Sequence, residues 1–361
     1  MKQLILVISL VSQFAVLAAE KQSTPPPGTI QTFAAPDEIA TGIMEKPIYP
    51  IGIHALDFSP DGKRLASGDG TGHLRLWDPA NGNLLHDVAA HSNWVFAIEW
   101  SRDGSKIITG GGDNLIHWFE ADNPALPMRT LRGHSNDVHA VALTKNGRTL
   151  YSAGDDRQML IWDAKGNELE KRVRAHNRQI PALELSPNER LIATGSRDRS
   201  IKIWSKDGKL RDTLIGHTGD VVAIYFSRDG SLLASAGWDN TARIWDVRTG
   251  KAKRIINWNV KHVSGVAFSE DAKRILVSGG SRLGLFEMAT GKQIWSATFG
   301  NKIRDAKGTE TAEDLSAVAF GRDDELIAVG STTGSIYLVS ADSGKQVRQL
   351  SSAARNDLGA Q

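Results

Sequence analysis

Apolar and polar residues alternate with a period of two along most of this chain. In residues 73–78 (HLRLWD) and 200–205 (SIKIWS) every second side chain is apolar. That period belongs to β-strands, and no window carries a strong helical period, so the chain is predicted to be all-β. Clusters of Gly, Asp, Asn and Pro punctuate the strands, as at Ser59-Pro60-Asp61-Gly62 and Gly68-Asp69-Gly70-Thr71-Gly72. They read as hairpin turns. The glycine runs join strands and open no helix, so they are not phosphate cradles, and Asp61-Gly62 and Asp229-Gly230 are turn chemistry, not metal loops.

The same order of strand, turn, strand, tight turn and strand recurs seven times, most clearly over residues 216–246. Its last apolar position is filled by Trp77, Phe119, Trp162, Trp204, Trp245, Phe286 and Val339, with successive spacings of 42, 43, 42, 41, 41 and 53 residues. A further strand such as residues 84–88 closes each unit. A period of this length predicts a seven-bladed β-propeller with four antiparallel strands per blade. Either residues 42–46 or residues 345–350 supply the outer strand of the last blade, and removal of free sheet edges favours a contribution from the N-terminal segment. The long last spacing reflects a polar insertion at residues 301–314, where a loop lies on one face of a repeat protein.

Residues 1–19 place one Lys before an apolar run that ends in small residues, the pattern of a signal peptide. Residues 20–40 form a proline-rich linker, residues 41–350 the propeller and residues 351–361 a polar tail. The reading is therefore of an exported protein, periplasmic or extracellular, with a bacterial envelope favoured and no membrane insertion after cleavage. The chain has no cysteine, which excludes disulfides and thiolate chemistry and suits an oxidising compartment. Its 43 basic and 41 acidic residues are scattered, so no nucleic-acid partner is expected.

Four separated positions recur with the repeat. They are His134, Ser152, Asp156 and Trp162 in the third unit, His176, Thr194, Asp198 and Trp204 in the fourth, and His217, Ser235, Asp239 and Trp245 in the fifth. The second unit has His91, Thr109 and Asp113 but Phe119 in place of Trp. A buried indole N–H needs an acceptor, a hydroxyl can accept it and pass its own proton to imidazole, and imidazole can donate to a carboxylate. In these residues the units resemble WD40 repeats over about 45–350, and the resemblance implies a structural tetrad. A Ser-His-Asp set also suggests a hydrolase, but three or four copies with the hydroxyl committed to an indole fit scaffold better. The first, sixth and seventh units depart from the pattern, carrying Tyr49 and Thr71, Asn259, and Thr311 and Thr333. Those blades are expected to rest on apolar packing and to open most easily.

The resemblance also implies a partner-binding face around the central channel, formed by the turns between second and third strands together with the loops entering the first strand, where Trp94 lies. The candidates there are Trp94, Asp155, Arg157, Arg197, Arg199 and Trp238. Trp and Arg are the residues enriched at binding hot spots. The reading is a noncatalytic scaffold for a protein or peptide partner, not an enzyme, with no catalytic residue, cofactor or metal. The alternative is a secreted propeller enzyme, similar to quinoproteins or lactonases, that uses the central channel.

Overall fold

The computed structural model describes residues 6–7, 52–260, 262–300, 302–304, 310–321 and 324–350. Among these residues there is no helix, and seven antiparallel sheets follow one another in chain order, each with four blade strands and the first extended by Leu6–Val7. Each sheet is one blade of a propeller, with its first strand innermost. The inner strands are Ile53–Phe58, Val95–Trp100, Val138–Leu143, Ala182–Leu185, Val221–Phe226, Gly265–Phe268 and Leu315–Phe320. Neighbouring inner strands contact one another around the ring, including blade one with blade seven.

The burial patterns explain the period of two. Inner strands such as Val95–Trp100 are buried along their whole length, because both faces pack against adjacent blades. Outer strands such as Glu168–Arg174 are mostly exposed, with Leu169 and Val173 half-buried. The residues at the repeated Trp position are all buried between blades: Trp77, Phe119, Trp162, Trp204, Trp245, Phe286 and Val339.

Ring closure departs from the expectation. The outer strand of blade seven is Gln346–Leu350, paired with Ile336–Ser340, so the C-terminal segment supplies it. Among the described residues no strand crosses from blade one to blade seven, and side chains join the two at the seam. Ile53, Leu56, Ala317, Ala319, Ile336, Leu338 and Leu350 share one apolar cluster across it. Ser316 Oγ donates to the Ile53 carbonyl, and Arg348 Nη2 donates to the Ala80 carbonyl at 3.1 Å.

The insertion between blades six and seven contains an antiparallel hairpin, Lys302–Arg304 against Glu310–Ala312. Residues 305–309 lie outside the described residues, as do the linker at 20–40, the tail at 351–361 and the segment 42–46. Of the expected signal peptide only Leu6–Val7 is described, as a short strand antiparallel to the inner strand of blade one.

Candidate functional site

The tetrad residues stand on three elements of each blade. In blade three, His134 lies in the loop entering the inner strand, Ser152 on the second strand, Asp156 in the next turn and Trp162 on the third strand. His134 Nδ1 is 2.8 Å from Asp156 Oδ2, its Nε2 is 2.7 Å from Ser152 Oγ, and Trp162 Nε1 donates to the same hydroxyl at 2.8 Å. Blade four repeats this with distances of 3.0, 2.7 and 2.9 Å, and blade five with 2.9, 2.7 and 2.8 Å. The hydroxyl accepts from the indole and donates to the imidazole, and in all three blades it is fully buried, so both of its bonds are spent inside the fold. Gly237 makes room for this packing, since a Cβ there would lie 2.3 Å from His217 Nδ1.

Blade two keeps His91 against Asp113 and Thr109, both at 2.8 Å, with Phe119 buried in place of the indole. A second histidine joins it: His117 lies 4.6 Å from the His91 ring and 2.9 Å from Thr130 Oγ1. Burial and the neighbouring His91 lower its pKa to about 4.

Blades one and seven were expected to rely on apolar packing, but each carries its own polar network. In blade one Trp77 Nε1 donates to Ser67 Oγ at 2.9 Å, while Asp69 accepts from the backbone of Thr71 and His73 and pairs with Arg75. Arg75 also bonds Asp87 at 2.9 Å. In blade seven the buried Glu313 carboxylate accepts from Ser331, Thr333 and Tyr337. Ser67 and Trp77 keep the hydroxyl and indole positions of the tetrad, whereas Asp69, Arg75, Glu313 and Tyr337 stand at positions the motif did not cover.

The candidate partner residues divide into two groups at the channel mouth on the turn face. Trp94 is half-buried, stacked on His54 at 5.6 Å and edge-on to Phe96 at 5.2 Å. Phe96 in turn packs on His139 at 4.3 Å, and His139 lies beside Asp155. On the other side Trp238 is half-buried against His262 at 5.1 Å, with the Arg197 guanidinium over its ring at 5.9 Å. Arg197 is itself largely buried and faces Asp220. Arg157 and Arg199 are exposed.

Sequence reading missed the residues beneath these aromatics. In blades one, two, three, five and seven a β-bulge interrupts the start of the inner strand, and the unpaired residue is His54, Phe96, His139, Val222 or Ser316. A bulge re-aims its extra side chain. The signal was present as an apolar-x-Ala-apolar run in IHAL, VFAI, VHAV, VVAI and LSAV, with the bulge residue second.

The opposite mouth holds a cavity of about 290 Å³ lined by Glu99, Glu184, Tyr225, Arg102, Lys145 and Arg228 among others. Glu99 and Asp57, on neighbouring inner strands, are buried, and burial pushes both carboxyls well above the ordinary range. The nearby charge of Glu99 adds to the effect on Asp57. No repeat unit supplies more than one such group, so only the ring brings them together.

The comparisons agree with this geometry. Residues 126–163, 167–205 and 208–246 match the WD domain, G-beta repeat, and residues 50–103 match the anaphase-promoting complex subunit 4 WD40 domain. Each G-beta match joins the outer strand of one blade to three strands of the next, which is why the tetrad His precedes the inner strand. The fold is a seven-bladed propeller, and over these residues the chain is similar to WD40-repeat proteins.

Among its relatives are a guanine nucleotide-binding protein subunit beta of Nicotiana tabacum, 23% identical over 301 residues, covering 77% of this chain and 78% of the relative. The Periodic tryptophan protein 2 homolog of Dictyostelium discoideum is 26% identical over 334 residues, covering 88% of this chain and 32% of that protein. Pre-mRNA-processing factor 19 homolog 2 of Arabidopsis thaliana is 24% identical over 311 residues, covering 83% and 58%.

These relatives overturn the expectation of export to the periplasm or exterior. Their names, with an autophagy-related protein 16 of Arabidopsis thaliana beside them, belong to processes inside the eukaryotic cell. An apolar run with small residues after it was too weak a signal to carry a compartment, and the absence of cysteine suits a reducing one equally well.

Proposed function

We infer that this propeller is a noncatalytic scaffold whose turn face, around Trp94 and Trp238, docks a protein or peptide partner. The observation that carries the reading is the backbone at Arg157 and Arg199, where φ is +66° and +72°. The corresponding turn positions in blades one, two and five hold Gly72, Asn114 and Asn240, the residue types that tolerate this conformation. A long cation at such a position costs about 1 kcal/mol or more of backbone strain, which a stability-driven sequence would avoid. Two exposed arginines held there, with two half-buried indoles across the channel mouth, form a rim of hot-spot residue types. The names of several relatives, guanine nucleotide-binding protein subunit beta, support the idea of a propeller working within an assembly.

Affinity capture tests this with wild-type chain, the Trp94→Ala/Trp238→Ala pair and an outer-strand control, Leu210→Ser. The reading expects a stoichiometric partner that the pair loses and the control keeps. Equal capture by all three chains would remove the turn face from consideration.

A further inference from the structure

We propose that Asp137, His139 and Asp155 of blade three form a binding site for a first-row divalent transition-metal ion at the channel mouth. One donor atom from each of the three lies within 4.8 Å of the others. The inference does not depend on the partner-docking reading, since it concerns only what this chain binds by itself.

The arrangement is built by local backbone geometry. His139 is the unpaired residue of the bulge between Val138 and Ala140, so its ring leaves the sheet register and turns towards the turn face. Phe96 of blade two packs on that ring and limits its rotation. Asp137 precedes the strand and Asp155 begins the turn after the second strand, and the Asp155 N–H donates to the Asp137 carbonyl at 2.9 Å. Gly154 permits this approach, because a Cβ there would lie 1.9 Å from the Asp137 carbonyl oxygen.

His139 differs from the histidines of the tetrads. Those satisfy both ring nitrogens, one with a carboxylate and one with a hydroxyl. His139 is fully buried, yet neither of its nitrogens has a hydrogen-bond partner, and the same is true of Asp155 Oδ1. Its Nε2 is ion-paired with that oxygen at 2.8 Å but out of line for a well-formed hydrogen bond. A buried imidazole left unsatisfied costs about 1–3 kcal/mol, and an ion seated between the nitrogen and the carboxylates would remove that cost.

The donor chemistry selects the class of ion. One imidazole with two carboxylates suits zinc, manganese or their neighbours better than calcium, which takes six or more oxygens. Asp137 and Asp155 place carboxylate oxygens within 4.8 Å of each other, so a shared cation would offset their repulsion. Arg197 is turned partly away towards Asp220. The cluster of His91, Asp113 and His117 has comparable spacing, but the Asp113, Thr109 and Thr130 contacts already occupy both nitrogens of His91 and Nδ1 of His117.

Zinc titration of the metal-stripped full chain by calorimetry tests the proposal. The expected result is one zinc per wild-type chain and a higher thermal midpoint with zinc than with chelator. His139→Phe copies the residue that blade two holds at the same bulge, so it keeps the packing while removing the ligand; it should abolish both effects. The half-buried Asp137→Asn should weaken binding and carries the test if His139→Phe does not fold, whereas His117→Ala should bind as wild type does. Absence of zinc binding by the wild type, or unchanged binding by His139→Phe or by Asp137→Asn, would overturn the site.

Discussion

Nδ1 of His134 lies 2.8 Å from Oδ2 of Asp156, and the same carboxylate oxygen accepts the Ser135 backbone N–H. Asp156 therefore ties the loop before the inner strand to the turn after the second. Asp156→Ala strands the buried imidazole of His134 and should destabilise the fold by about 1–3 kcal/mol. Trp162→Phe, which copies Phe119 of blade two, leaves the hydroxyl to turn and should cost less, near the net value of one hydrogen bond, about 1 kcal/mol. Urea unfolding of both variants checks the order. Equal stability of Asp156→Ala and wild type would refute the structural role of the network.

Buried histidines outside the tetrads and the aspartates within them fix the acid limb of stability. His54 and His117 are both brought to about 4, chiefly by burial, so the unfolded chain binds their protons first and stability falls as pH drops from about 6.5 to 4. Asp113, brought to about 2 by the bonds to His91 and by backbone N–H groups that outweigh its burial, continues the loss below the ordinary carboxylate value. Asp198 and Asp239 are lowered in the same way. Two stages of acid destabilisation are expected in urea midpoints taken from about pH 7 to pH 2.5. Asp113→Asn should flatten only the lower stage; a flattening of the upper one would contradict the assignment.

Among the described residues no strand is exchanged between blades one and seven, and side chains join the two across the seam. Ile53 packs against Gly330, where a Cβ would come within 2.6 Å, and it belongs to the cluster that spans the seam. Ile53→Ala should cost about 2–5 kcal/mol. Hydrogen exchange should then rise first at residues 53–58 and 315–320, while the tetrad blades three to five stay protected. Uniform loss of protection around the ring would mean that closure is not the weak point.

How much of this could be read from the sequence depended on whether a feature repeats. The Trp162 position and its equivalents showed the blade count, because burial between sheets constrains them seven times over. The tetrads were legible for the same reason. Glu313 was not, because its contacts to Ser331 and Tyr337 use positions outside the repeated motif. Closure by Gln346–Leu350 was ambiguous because either terminus offered a suitable strand. The cluster around His139 was hidden because a bulge, invisible to a period-of-two reading, turns that side chain out of register. The carboxylates of Asp57 and Glu99 lie 42 residues apart and meet only in the closed ring.

Those two carboxylates should act on stability with the opposite sign to the tetrad aspartates. Both are fully buried, and burial raises their carboxyls well above the values of 3.8 and 4.5 that they have when unfolded. The Leu143 backbone N–H offsets only part of this at Glu99. Between the unfolded and the folded pKa the folded chain holds more protons, so their contribution is greatest at low pH and is lost as pH rises through that window. Neutral Glu99→Gln and Asp57→Asn remove the titration and should stabilise the fold by about 1 kcal/mol or more at pH 8, where a buried unpaired charge is most costly. At about pH 4 the gain should vanish, because the native carboxyls are then protonated. Thermal midpoints of the variants and wild type across that range decide the matter: a difference independent of pH would show that the two groups stay ionised in the folded ring.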